Sequence, residues 1–151
     1  MIVLGIDPGT KCGWCLLDGE KRLASGVWNL SPKRHEGGGM RFVRLRAYFV
    51  EVLRQAEVVA YEEVRRHMGV DAAHIYGGIV AVITEVCEAQ SKPYRGIPVG
   101  TAKKLLTGKG NADKPAMVAA ANVRFAPHEV ETDDEADALA VALALHRELA
   151  F

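Results

Sequence analysis

The sequence predicts an α/β fold in which helices flank a central five-stranded mixed sheet. Three observations carry that expectation. Five short runs have strand character: Ile2 to Ile6, Cys12 to Asp18, Arg22 to Trp28, Glu57 to Glu62, and residues 94–99. The first three follow one another with only tight turns between them, so they pair antiparallel. The last two are reached through stretches with helical spacing, and a helical crossover delivers a parallel strand.

Each element has its own warrant. The opening run ends in a lone carboxylate, Asp7, followed at once by Pro8-Gly9, and an apolar run bounded by a turn reads as a buried central strand. Asp18-Gly19 is a tight-hairpin signal. Ser31 to Gly39, with Pro32 and three consecutive glycines, reads as a loop. Met40 to Gln55 sets Phe42, Leu45, Phe49 and Leu53 on one helical face and Arg41, Arg44 and Arg54 on the other. Glu57-Val-Val-Ala-Tyr-Glu62 is a second apolar run that ends in an acid. Ala72 to Gln90 reads as a long helix, too apolar for any broad face to be covered by water. Residues 94–99 fit a strand and Thr101 to Leu106 a short helix. Asp113 caps a helix running to about Phe125, halted before Pro127. Thr132 to Leu149 is the last helix, with Thr132 and Glu135 forming a capping box.

Composition bounds the function. A chain of 151 residues has room for one domain, spanning 1–151, with a real core. Hydrophobic content of 49% and charged content of 25% suit a soluble protein, and no apolar stretch approaches the roughly 18 residues of a membrane helix. No signal peptide precedes Asp7. Three cysteines cannot all pair within one chain, which favours a reducing cytoplasm. The expectation is a cytoplasmic protein with no membrane partner. Three asparagines and two glutamines hint at a thermophilic source.

Net charge is zero, which argues against indiscriminate nucleic-acid binding, but the charges are segregated. Residues 92–114 carry six basic groups (Lys92, Arg95, Lys103, Lys104, Lys109 and Lys114) against one acid, Asp113. Residues 129–137 carry six acids and no lysine or arginine. Such a chain could hold cations at one place and phosphates beside it; a solvated acidic helix start next to an ordinary basic loop fits the charges equally well.

The acids give that pattern a chemistry. A carboxylate at the end of a buried strand is costly unless something pairs with it, and a metal ion is the usual partner. Asp7 and Glu62 end what should be neighbouring strands, and Asp134 and Asp137 share one helical face. Were that helix to pack on the same end of the sheet, four carboxylates would converge and repel one another unless neutralised. Two divalent cations would balance them, and Mg²⁺ suits carboxylate oxygens. A pair of such ions serves phosphodiester hydrolysis. Spacing alone does not choose Asp134 over Asp133, nor Glu62 over Glu63.

A resemblance makes that choice. Gly5-Ile-Asp7-Pro-Gly-Thr10, Ala60-Tyr-Glu62-Glu-Val64 and Asp134-Glu-Ala-Asp137-Ala-Leu-Ala140 together resemble the RuvC family of Holliday-junction resolvases, members of the RNase H-like superfamily. Lys103 and Gly108-Lys-Gly-Asn-Ala-Asp-Lys114 resemble that family's lysine-bearing stretch beside the active site. The matches occur in family order over nearly the whole chain. The resemblance implies an RNase H-like nuclease domain, a Mg²⁺-dependent endonuclease with two ions per site (Mn²⁺ substituting) and no nucleotide cofactor. It further implies resolution of four-way DNA in recombination and repair, by a homodimer. Asp7, Glu62, Asp134 and Asp137 would be the metal ligands. Lys103 and Lys114 would contact phosphates near the scissile bond, with Lys114 counted among the catalytic residues. Lys104, Lys109, Arg65 and Arg66 complete the expected DNA contacts, and the apolar helix 72–90 is the candidate dimer contact, compatible with a role covering the sheet.

There are departures and rivals. Bacterial members of the family carry an aromatic residue just after the middle acid, where this chain reads Arg65-Arg66-His67. Electrostatic recognition then replaces stacking, and forked or flapped DNA becomes an alternative substrate, as in phage-type relatives. A binder that holds branched DNA without cutting it is a further alternative, disfavoured by four intact acids. Tyr76 and His74 lie close enough in sequence to supply stacking, although a lone aromatic on a helix is more often core. Gly-Ile-Asp-x-Gly-Thr also resembles the phosphate motif of sugar kinases and actin-like ATPases, which need two such domains. The RNase H-like family that trims ribosomal RNA precursors opens similarly, but its Asp-Glu-Arg motif is missing. Cys12-Gly-Trp-Cys15 has the spacing of a metal or redox pair, yet positions three apart on a strand face opposite sides. His128, just ahead of the acidic run, could assist water activation, but a helix-capping or surface role is the favoured reading.

Overall fold

A computed structural model describes residues 1–67 and 69–150, so Phe151, the last residue of the expected 1–151 domain, lies outside the described part. The strands are β1 (Ile2–Asp7), β2 (Lys11–Asp18), β3 (Lys21–Asn29), β4 (Val58–Glu63) and β5 (Tyr94–Pro98). The helices are α1 (Met40–Leu53), α2 (Val70–Ala89), α3 (Val99–Thr107), α4 (Lys114–Arg124) and α5 (Asp133–Leu149). Expected and observed boundaries differ by at most two residues. The strand expected over 94–99 stops at Pro98, which has no N–H to donate onward, and Val99 opens α3.

The sheet has five strands in the order β3-β2-β1-β4-β5. β1 pairs antiparallel with β2 and parallel with β4, and β2 and β3 form a hairpin closed by Gly19-Glu20 between paired Asp18 and Lys21. This is the mixed sheet that the turn spacing predicts. β1 is central, which explains its unbroken apolar run: both of its faces are covered.

Alternation along the strands sorts the core into two layers. Leu4, Ile6, Cys12, Leu16 and Val59 face α1 and α2, where they meet Leu45, Phe49, Ile79 and Ile83. Val3, Cys15, Leu17, Val58, Ala60 and Ile97 face α5, with α3 and α4 beyond it. Cys12 and Cys15 therefore lie on opposite faces, both free, as alternation requires.

Two glycines set how closely α5 approaches. A Cβ on Gly13 would collide with the Asp134 carbonyl, and one on Gly5 would run into the Ala138 carbonyl and sit 2.8 Å from the Ala142 Cβ. The bare backbones of β1 and β2 thus let the helix lie against the sheet, and the alanines of α5 complete the fit.

Two sequence expectations are corrected. α2 has 20 residues and is long and apolar enough, by length and composition alone, to cross a membrane, so the reading that no stretch approaches that length fails. The helix packs through Ile79, Ile83, Val86 and Cys87 into the core. The capping box is half formed: Thr132 Oγ1 accepts from the Glu135 N–H at 3.2 Å, but the Glu135 side chain does not return to Thr132. It goes instead to Ser25 and His128, two better donors that burial offers it.

Candidate active site

The β1–β4 register ends with Ile6 opposite Tyr61, which brings Asp7 and Glu62 side by side on the α5 face. α5 starts directly over this point because Gly13, the β2 partner of Asp7, lies under the Asp134 backbone. Asp7, Glu62 and Asp137 each offer a carboxylate oxygen within 4.8 Å of the others. Asp134 is within hydrogen-bonding reach of Asp7, whereas Asp133 is turned to Lys114, 3.8 Å away. Of the two helix starts that spacing left open, Asp134 is the one beside Asp7. Glu62 is 7% exposed, while Glu63 lies outward and pairs with Arg65 at 3.4 Å.

The electrostatics are those of a crowded, poorly solvated acid cluster. Burial first, then the Glu62 carboxylate, push Asp7 well above the ordinary carboxylate range, with Asp137 and Asp134 adding to the effect. Asp137 is pushed up to about 8, by burial first and then by Glu62 and Asp133. Asp134 is raised by burial and by Asp133, against a hydrogen bond from Asp7 and the charges of Lys114 and Lys11. Glu62 Oε2 is buried with no hydrogen-bond partner. An orphaned buried carboxylate oxygen facing two other carboxylates fits a hard divalent cation, which would take the place of the protons.

The strand that carries Glu62 is pinned just beyond it. The Tyr76 hydroxyl donates to the Glu62 carbonyl at 2.9 Å and accepts from the Val64 N–H at 3.0 Å. The Tyr76 ring meets His67 with centroids 4.8 Å apart. Tyr76 is thus a fastening for the strand end, with its hydroxyl engaged.

The basic residues divide. Lys103 acts on Asp137, and Lys114 and Lys11 act on Asp134, so three ammonium groups border the acids. Lys114 is 82% exposed and reaches Asp133 at 3.8 Å. Lys109, Arg65 and Arg66 are also exposed, the arginines on the segment leaving β4. Lys104 lies apart, in a cleft of about 670 Å³ with Thr101, Leu105, Ala144, Arg147 and Glu148, toward the far end of α5. Lys92 bonds the Ala56 carbonyl at 2.6 Å and Arg95 pairs with Glu148 at 2.6 Å, so the basic run 92–114 is not one patch.

Sequence reasoning missed Lys11 and the bonds of Ser25, His128 and Glu135. For Lys11 the signal was available: it follows Asp7-Pro-Gly-Thr and must return past the strand end. For the other three there was none, since they come from β3, the stretch between α4 and α5, and α5.

A mixed sheet of this order with acids at the ends of its two central parallel strands and at the start of the helix crossing them defines an RNase H-like nuclease. No family-level sequence profile matches the chain. Crossover junction endodeoxyribonuclease RuvC of Anaeromyxobacter is 31% identical over 150 residues, covering 95% of this chain and 71% of that relative. The RuvC structure from Thermus thermophilus superposes with a TM-score of 0.82 at 25% identity, over 99% of this chain and 96% of the other. The same organism's RuvC in complex with a Holliday junction substrate gives 0.81 at 27% identity, over 95% and 92%. The chain belongs to the RuvC family of crossover junction endodeoxyribonucleases.

Proposed function

We propose that this chain is a divalent-metal-dependent, structure-selective endonuclease that resolves Holliday junctions by hydrolysing one phosphodiester bond in each of two symmetric strands. The observation that carries the reading is the Asp7, Glu62 and Asp137 cluster with its unpartnered buried oxygen. Family membership favours this over a broader fork-and-flap debranching nuclease and over a binder that does not cut.

Asp7, Glu62, Asp134 and Asp137 would hold two Mg²⁺ ions, with Mn²⁺ as a substitute. When bound, such ions neutralise the acids, activate the attacking water and take up charge on the leaving oxygen. The chain's own groups do the rest. Lys103 and Lys114 flank the acids and would orient the scissile phosphate. Lys109, Arg65 and Arg66 would hold neighbouring phosphates, making affinity salt-dependent. Lys104 would meet only a DNA arm that runs back along α5. Arg65 and Arg66 project where family members carry an aromatic residue, and the His67–Tyr76 ring pair lies at the same strand end.

Symmetric cutting calls for a homodimer, and α2 is our candidate contact. Its Gly77 and Ala81 are exposed and Val80 and Thr84 half-buried along one stripe. We read the whole as one nuclease domain, working on DNA in the cytoplasm.

The test is cleavage of a labelled four-way junction, a fork and a linear duplex with Mg²⁺, Mn²⁺ or EDTA. Paired nicks in the junction that need a divalent ion are expected. Equal cutting of forks would shift the reading to the debranching nuclease. Tight junction binding without cutting in any metal would leave only the binder.

A further inference from the structure

We propose that Ser25, His128 and Glu135 form a positioning device that holds the rotation of the first turn of α5 and so aims Asp134 and Asp137; the inference rests on reading those two aspartates as metal ligands. Glu135 is 7% exposed, one of the two buried charged side chains in the described core. The other is Glu62, which belongs to the acid cluster. Glu135 lies between Asp134 and Asp137 in sequence but points away from them, back across the sheet.

Its hydrogen bonds run in one direction. Arg22 Nε donates to Ser25 Oγ at 2.6 Å, and Ser25 Oγ in turn donates to Glu135 Oε2. His128 Nε2 donates to that same oxygen at 2.7 Å. Every donor has an acceptor, and the carboxylate that collects them sits in the first turn of α5. Two donors from different elements that converge on one side-chain oxygen are directional, so they resist rotation of the helix about its axis.

The residues reach Glu135 from independent elements. Ser25 is in the middle of β3, and the β2–β3 pairing sets it opposite Cys15. His128 is on the connection from α4, which is itself clamped: Asn122 accepts from the Val130 N–H at 2.6 Å and donates to the Val130 carbonyl at 3.1 Å. Thr132 caps the helix at the same turn, and Gly13 fixes its height above the sheet. The cap and the glycine set where α5 begins. The buried face of α5 sets the rotation of the helix body, and the Glu135 bonds add a separate hold on its first turn, where Asp134 and Asp137 sit. A turn of α5 by one residue's worth of rotation, about 100°, would remove both aspartates from Asp7, and the Glu135 bonds oppose that turn.

The test separates placement from stability and from the reaction. Mn²⁺ uptake is followed by electron paramagnetic resonance in wild type, Ser25→Ala, Glu135→Ala and Glu135→Gln, alongside circular dichroism and junction cleavage. Residues that orient metal ligands typically cost 10- to 100-fold in metal affinity when removed. We expect Ser25→Ala and Glu135→Ala to bind Mn²⁺ about tenfold more weakly, with junction binding in EDTA unchanged and turnover, rather than KM for the junction, reduced. Glu135→Gln keeps an acceptor oxygen for Ser25 and His128, and it should recover most of the affinity. Wild-type Mn²⁺ affinity in Ser25→Ala and Glu135→Ala would overturn the inference. Equal losses in Glu135→Gln and Glu135→Ala would also overturn it, since charge and not hydrogen-bonded placement would then matter. If Glu135→Ala fails to fold, Ser25→Ala, which loses a single hydroxyl, decides alone. Wild type that takes up Mn²⁺ but cuts no junction would sink the proposed reaction and leave this inference to the metal isotherms.

Discussion

Helices α5 and α2 invert the expected relation between composition and burial. α2, at 20 residues, is the more apolar, yet it fully buries just Ile79, Ile83, Val86 and Cys87. α5, at 17 residues, opens on Asp133, Asp134 and Glu135 and still buries ten of its side chains. The reason is the layer each occupies. α5 lies between the sheet and the pair α3 and α4, so its middle, Ala138 to Leu145, is covered on every side and is rich in alanines that allow close approach. α2 lies outermost on the other face, against α1 and the sheet. The inversion fits our proposal that Asp134 and Asp137 in the most buried helix serve chemistry, and that the apolar surface left on the outer helix serves a second copy of the chain.

The sharpest way to break this comparison is to unseat α5. Gly13→Val places a branched side chain where the Asp134 carbonyl lies, against backbone that cannot rotate away. We expect a loss of about 3 kcal/mol or more, the upper end of overpacking, in urea unfolding, and loss of the acid cluster with it. Stability close to wild type would mean that α5 is not held against β2 as described.

The next largest effect concerns the acids themselves. Asp7→Asn should lower cleavage on the order of 10⁴-fold, the scale of removing one member of a catalytic unit, while junction binding in EDTA persists. It should also raise the melting temperature of the metal-free protein, because a buried carboxylate among carboxylates has been neutralised. The same logic fixes a pH dependence. Asp7 and Asp137 have folded-state values above their unfolded ones, so the folded state holds more protons and metal-free stability falls as pH rises. For Asp137 the fall spans the interval from its ordinary value up to about 8 and levels off above it. Melting in EDTA should therefore be lower at pH 8.5 than at pH 5.5, and Mg²⁺ should raise it more at the higher pH. A flat profile with no Mg²⁺ effect would separate these acids from metal binding.

Much of this was legible in the chain. The apolar runs ending at Asp7 and Glu62 marked parallel neighbours because a buried strand has few other reasons to end in an acid. The spacing of Asp134 and Asp137 put them on one face. What spacing could not give was the choice between neighbours, Asp133 against Asp134 or Glu62 against Glu63, because that depends on the rotation of a helix and the face of a strand. The capping box misled for a related reason. Its pattern describes a helix end in isolation, and Glu135 found better partners on β3 and the α4–α5 connection. Lys104 was grouped with Lys103 by adjacency, although neighbours on a helix point about 100° apart.

The outer helix supplies the third test. Ala81 is exposed on α2, so Ala81→Glu should leave the fold intact while placing like charges across any two-fold contact there. A tenfold or greater rise in the dimer dissociation constant, about 1.4 kcal/mol, is expected in sedimentation equilibrium. Unchanged association would move the interface off α2 and leave its apolar stripe as simple exposed surface.

The smallest expected effect distinguishes the two ends of α5. Lys114 stands by its first turn, beside Asp134 and 3.8 Å from Asp133, and Lys104 by its last turns with Arg147 and Glu148. A lysine that meets the scissile phosphate contributes to the transition state, and Lys114→Ala should slow cleavage about 10²-fold with little change in junction affinity. A lysine that meets only a distant phosphate contributes to binding, and Lys104→Ala should lower the salt slope of junction binding by about one with the saturated rate unchanged. Measured together on one junction, the two variants convert position along a helix into a split between rate and affinity. Identical profiles for both would mean that the DNA path does not distinguish the ends of α5, and that the basic segment acts as a diffuse field and not as placed contacts.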